Sequence, residues 1–203
     1  MNLRAELLER IHARGYERPW TIQQRVIPLC VQGSDLIVEA PSGSGKTVAF
    51  IIAVLQKINI STRECQALIL APNRELAQAI QLECMSLGES FGSQCQASIG
   101  GIPVLQEVQK LKAGPHIVVG TPGRVKHMIL AKYLKTQNIK MLILHQADSL
   151  LPNGYKEEIY DMFERLNHVP IQVILLSATV SNELLNLAEK FMRHPIQISH
   201  MHE

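Results

Sequence analysis

The chain has 203 residues, 46% of them hydrophobic and 19% charged, which is enough to bury the core of one large α/β domain. A formal charge of +2 excludes a globally basic nucleic-acid binder, so any such binding must come from local groups. Cys30, Cys65, Cys84 and Cys95 form no CxxC pair, no secretory leader opens the chain, and the longest apolar run, "VAFIIAVL" (48–55), is far short of the ~20 residues of a membrane span. The expectation is a soluble protein of the cytoplasm or nucleus with reduced thiols.

In chain order, Leu3, Leu7, Leu8 and Ile11 stripe a first helix that ends before Gly15, and a second helix runs from about Thr21 to Gly33. Residues 1–33 thus read as an N-terminal helical cap on a sheet, and 34–203 as the main unit of a single domain. Strand-like runs follow: "DLIVEA", "QALILA", "QCQASI", "HIVVG", "KMLILH", "QVILLS" and "IQIS". Between most of them lie segments of helical spacing, such as Leu76, Ile80, Leu87 and Leu184, Leu187, Phe191. This alternation predicts a mostly parallel sheet with helices on both faces. No repeat, low-complexity tract or linker is present, and no second strand-helix series follows "PIQISHMHE".

The segment "DLIVEAPSGSGKTVAFIIAVL" sets a buried strand before a glycine-rich turn and an apolar helix after Lys46-Thr47. Gly43 and Gly45 let the turn aim N–H groups inward beside Ser42 and Ser44, and the helix N-terminus adds a positive dipole end. That chemistry suits the triphosphate of ATP: Lys46 reaches the β and γ phosphates and the Thr47 hydroxyl ligates Mg²⁺. Ala40 stands where the usual pattern has its first glycine.

Reading outward, "GYERPWTIQQRVIP", "APSGSGKT", "APNRELAQ", "IGG", "VGTPGRV", "HQAD" and "LSAT" occur in the order found in the DEAD-box RNA helicases, and the surrounding sequence is most similar to the branch of translation initiation factor 4A. The resemblance covers nearly the whole chain. It implies a three-layer RecA-like fold, the first of two such domains, with RNA, a second RecA-like domain and HEAT-repeat scaffold proteins as partners. It further implies that Tyr16 stacks on adenine and Gln23 reads its edge, while the family's usual upstream aromatic would fall before Met1. Pro72, Arg74, Glu75, Gly100, Gly101, Thr121, Pro122, Gly123 and Arg124 match segments that hold the RNA backbone. Glycine turns, helix N-termini and arginine forks suit phosphates and carry little sequence information. Ser177 and Thr179 match the motif coupling nucleotide state to domain closure, partly through the last acid of the DEAD sequence, here Asp148.

In the resemblance, the first acid of DEAD holds Mg²⁺ through water and the second positions or deprotonates the attacking water. His145 and Gln146 occupy those catalytic positions here. Imidazole is a poor partner for Mg²⁺, and an amide cannot take a proton. Loss of a general base typically costs ~10²- to 10⁴-fold, roughly 3 to 5 kcal/mol of barrier. No second His or Cys stands at ligand spacing to build a different metal site around His145. Pro41, Ser44 and Asn73 are milder departures: Pro41 removes an N–H at the loop entrance, and the other two keep hydrogen-bonding capacity. Two readings stay open: a binding module that holds ATP and RNA without turnover, or an active RNA-stimulated ATPase in translation or nuclear RNA processing.

Overall fold

The structure is a computed structural model describing residues 2–166 and 170–199. Among these, seven strands form one sheet: β1 (Leu36–Glu39), β2 (Ala67–Leu70), β3 (Cys95–Ser98), β4 (Ile117–Gly120), β5 (Met141–His145), β6 (Gln172–Ser177) and β7 (Ile196–Ser199). Their order is β3-β4-β2-β5-β6-β1-β7, and every neighbouring pair is parallel. The helices are α1 (Ala5–Ala13), α2 (Thr21–Gln32), α3 (Lys46–Lys57), α4 (Arg74–Gly88), α5 (Val104–Lys112), α6 (Pro122–Leu130), α7 (Ala147–Leu150), α8 (Lys156–Leu166) and α9 (Asn182–Phe191).

Alternate strand residues point to opposite faces, so the sheet divides the core in two. Leu36, Val38, Ile69, Ile143 and Leu176 pack with Phe50 and Ile51 of α3 and Ile80 of α4. Ile37, Leu68, Leu142 and Leu175 pack with Met128 of α6, Ile159 and Phe163 of α8 and Leu187 of α9. Because both faces are covered, the inner strands are apolar throughout, as in "ALIL" and "IVVG". These layers make the RecA-like α/β fold. All four cysteines are buried and free, and burial pushes the Cys30 and Cys65 thiols up to about 12.

The N-terminal cap touches the sheet at β1 and rests mainly on two of the helices that cover it. Helix α2 lies along α3, and α1 lies against α4, because these helices already cover the sheet face beneath. Arg4 donates to the Gln56 and Ile58 carbonyls at 2.8 and 3.0 Å, and Arg10 to the Ser86 carbonyl at 3.0 Å, tying α1 to the ends of both helices. Gly33, at φ +95°, closes α2 in the left-handed conformation that glycine accepts without strain.

Sheet order decides what can meet. With β5, β6 and β1 adjacent, the segments leaving their C-terminal ends, "HQAD", "SAT" and the glycine-rich loop, converge. The C-terminal ends of β3, β4 and β2 bring "GG", "TPGR" and "PNRE" together in the same way. Ligand sites in open parallel sheets lie at such ends.

Candidate functional site

The glycine-rich loop joins β1 to α3 and borders a cavity of about 340 Å³. Gly43 and Gly45 both take positive φ, +81° and +86°. Lys46, the first residue of α3, is buried, and its ammonium bonds the Ala40 carbonyl and, at 2.8 Å, that of Pro41. Burial pushes its pKa down, and the nearby Asp148 carboxylate acts in the opposite direction. These two carbonyl bonds are the ones phosphate oxygens would replace. In the same loop the Ser44 hydroxyl oxygen is buried without a hydrogen-bond partner among the described residues.

Tyr16, Trp20 and Gln23 line the other side of the cavity. A Cβ on Gly45 would lie 2.8 Å from a Trp20 ring carbon and 2.9 Å from the Gln23 amide nitrogen, so the loop passes under α2 only with glycine there. The expected base-reading amide is engaged inside the protein. Gln23 Oε1 accepts from the Trp20 N–H at 2.9 Å, capping α2 from its third position, and Nε2 faces the Gly45 carbonyl at 3.5 Å. Reading an adenine edge would require Gln23 to exchange these bonds.

At the end of β5, His145 is 5% exposed, and its Nε2 lies 2.8 Å from the Thr47 hydroxyl. The ring meets Phe50 edge-on at 5.6 Å, and Nδ1 is buried without a partner among the described residues. Burial first, then the Lys46 charge, hold its pKa down to about 4, against the opposing pull of Asp148, so the imidazole is neutral near pH 7. Gln146 follows at φ +54°, a left-handed turn that costs a non-glycine residue about 1 kcal/mol or more. Asp148 Oδ2 accepts from the N–H groups of Ala178 and Thr179 at 3.1 and 3.3 Å and from the Thr179 hydroxyl at 3.4 Å, joining α7 to the segment after β6. The Ser177 hydroxyl donates to the Thr179 carbonyl, and Ser181 caps α9 by accepting from Leu184.

This donor set does not fit the Mg²⁺ expected beside Thr47. Magnesium takes hard oxygen ligands in an octahedron. Here the Thr47 hydroxyl is paired with an imidazole, no carboxylate among the described residues lines the cavity, and Asp148 is occupied by residues 178 and 179.

A second, open groove of about 540 Å³ is lined by Pro72, Arg74, Glu75, Gly100, Thr121, Gly123 and Arg124, together with Asn73, His127 and Tyr155. The N-termini of α4 and α6 border it, the former capped by Asn73, whose side chain accepts from Leu76 N–H at 2.8 Å. Positive dipole ends there suit phosphates. The Arg74 guanidinium lies over the glycine turn: Cβ atoms on Gly100 and Gly101 would sit 2.9 and 2.8 Å from its nitrogens. Gly101 also needs its glycine for φ +89°. The Arg74 side chain is exposed and makes no protein hydrogen bond among the described residues. Arg124 borders the groove while its guanidinium is also engaged inside the protein. It pairs at 2.8 Å with Glu107, which is fully buried and also accepts from Ser98, and it donates to the Ile102 carbonyl at 3.0 Å. A buried carboxylate requires that cation. Pro122 is the buried first residue of α6 and shapes the turn rather than lining the groove.

Residues 20–187 match the DEAD/DEAH box helicase family. The chain belongs to that family. The ATP-dependent RNA helicase eIF4A of Pyricularia oryzae is 50% identical over 198 residues, which are 98% of this chain and 50% of that protein, so the chain spans about half the length of this curated relative. A DEAD box protein from the hyperthermophile Methanococcus jannaschii superposes with a TM-score of 0.92 at 34% identity, over 98% of this chain and 54% of that one. Dbp5 of S. cerevisiae, bound to nup159, gle1, IP6 and ADP, superposes with a TM-score of 0.87 at 27% identity, over 99% of this chain and 53% of that one.

Within this DEAD-box domain, sequence reasoning passed over Trp20, Glu107, His127 and Tyr155, all of which border or organise the two sites. Trp20 carried a readable signal, since the chain's single Trp directly precedes α2. Glu107 carried none, because it sits on an otherwise ordinary amphipathic helix. Among the described residues no helix is long and apolar enough to cross a membrane.

Proposed function

We propose that this chain is the ATP- and RNA-binding first RecA-like domain of a two-domain DEAD-box protein, and that it holds ATP while hydrolysing it very slowly or not at all. The observation that carries the proposal is the environment of the loop after β5. His145 is neutral and bonded to Thr47, and Gln146 offers an amide where hydrolysis needs a proton acceptor. Nucleotide binding is supported by the buried Lys46, the inward-turned glycine loop and the partnerless Ser44 hydroxyl. RNA binding is supported by the groove under Arg74, where two helix N-termini and a glycine turn offer backbone contacts with little sequence preference. The two sites share one end of the sheet, and Asp148 links the nucleotide side to residues 178 and 179, where closure of a second domain would be sensed.

That same Asp148 linkage favours the second reading, an active RNA-stimulated ATPase, because the coupling segment is intact although the acids are replaced. The test is RNA-stimulated ATP turnover in a chimera with the remaining half of the fungal relative, beside its His145→Asp, Gln146→Glu double variant, with ATP binding measured in parallel. Binding by both and turnover only by the variant supports the proposal. Equal turnover overturns it in favour of the active enzyme.

A further inference from the structure

The cleft around Lys46 has one cation and no anion. Among the described residues none of those lining it is Asp or Glu, and the carboxylate that acts on Lys46, Asp148, is held by Ala178 and Thr179. A site that selects a magnesium-nucleotide complex must place oxygen donors or balancing negative charge beside the ion. The Thr47 hydroxyl, at the start of α3, is instead paired at 2.8 Å with His145 Nε2. That pair is not readily opened. The imidazole is 5% exposed and packed edge-on against Phe50, and its other nitrogen already has no partner, so releasing Thr47 would leave both ring nitrogens unpaired in the interior. Nitrogen is also the softer donor, suited to other metals than magnesium. Among the described residues no group of three or more His, Cys, Asp or Glu is placed to hold a metal of any kind.

What the cleft does offer matches a bare polyphosphate anion: the Lys46 ammonium, the loop N–H groups and the N-terminus of α3, a twelve-residue helix. We infer that this domain takes its nucleotide as the metal-free anion, with the Thr47–His145 pair closing the position where a protein-bound divalent ion would sit. The inference rests on the nucleotide-binding reading above and names the ionic form of the ligand. His145 is then a specificity-determining residue that removes the demand for magnesium.

The test titrates the 203-residue chain with ATP, by calorimetry, once in excess magnesium and once in excess EDTA, and repeats both with His145→Asp. For the natural chain ATP is expected to bind in EDTA, and to bind about tenfold or more weakly in excess magnesium, which chelates the metal-free anion away from the site. In His145→Asp, where a carboxylate faces Thr47, magnesium is expected to tighten binding by about tenfold or more. Binding by the natural chain that is as tight or tighter in magnesium overturns the inference and leaves the nucleotide-binding reading standing. No binding in either medium overturns that reading and the inference with it. Water-proton relaxation with Mn²⁺ as the probe decides the point without any variant. A mixture of the chain, ATP and Mn²⁺ is expected to show only the signal of free Mn²⁺-ATP, whereas enhancement by the protein overturns the inference.

Discussion

Acidification isolates His145, because its proton equilibrium differs so much between the folded and unfolded chain. Unfolded, the imidazole titrates near its ordinary 6.5; folded, burial and the Lys46 charge hold it to about 4, with Asp148 the one opposing charge. A depressed pKa on a base means that the unfolded chain binds the proton first. Above 6.5 both states are neutral and the group contributes nothing to the pH dependence. Between 6.5 and about 4 stability falls as pH falls, by about 3 kcal/mol in all, and below that both states are charged. Urea unfolding across this window, for the natural chain and for His145→Gln, gives the magnitude directly. The glutamine keeps a hydrogen-bonding partner for Thr47 but cannot titrate. His116, which burial also holds down, is common to both proteins and cancels in the difference. The natural chain should lose about 3 kcal/mol more than the variant on going from above pH 6.5 towards 4. Parallel curves would refute the buried neutral imidazole on which the reading of the cleft depends.

Three further outcomes follow from contacts in the two sites. Arg74→Ala should weaken single-stranded RNA binding about equally for all sequences and lower the slope of log affinity against log salt by about 1, as read by fluorescence anisotropy. A loss confined to particular sequences would contradict a backbone contact. Glu107→Gln strips Arg124 of its buried partner and should cost about 3 kcal/mol in denaturant unfolding, with a smaller further loss on adding Arg124→Ala than that substitution causes alone. Gly45→Ala should cost about 1–2 kcal/mol for the left-handed backbone, and should shift the emission of Trp20, the single tryptophan, which its new methyl group would push from the loop. Unchanged emission would mean that Trp20 does not rest on the loop in solution.

The parts of the fold and site that the sequence displayed are those set over short spans. "LIVE", "ALIL" and "IVVG" are strands because neighbouring apolar residues must all be covered, and the helices between them show their stripes within two or three turns. The glycine-rich loop was legible for the same reason: Gly43 and Gly45 fix their own backbone, and Lys46 follows by position in the chain. Even the replacement of acids by His145 and Gln146 is plain in "HQAD".

What the tertiary structure decided is which polar groups become partners. His145 and Thr47 are 98 positions apart, and nothing local to either pairs them; the adjacency of β5, β6 and β1 brings them to one end of the sheet. Arg124, expected at the RNA backbone, is also the counter-charge of Glu107, whose carboxylate lies wholly inside where α5 meets β3 and Ser98. Gln23 looked like a base reader, yet it caps its own helix and faces the loop, and the cap's helices rest on α3 and α4 because these already occupy the sheet. Apolar burial is non-directional and can be satisfied by any neighbour of suitable size, so a linear pattern predicts it well. A buried hydrogen bond or ion pair requires one particular atom within about 3 Å, and only the assembled order of the strands determines which atom that is.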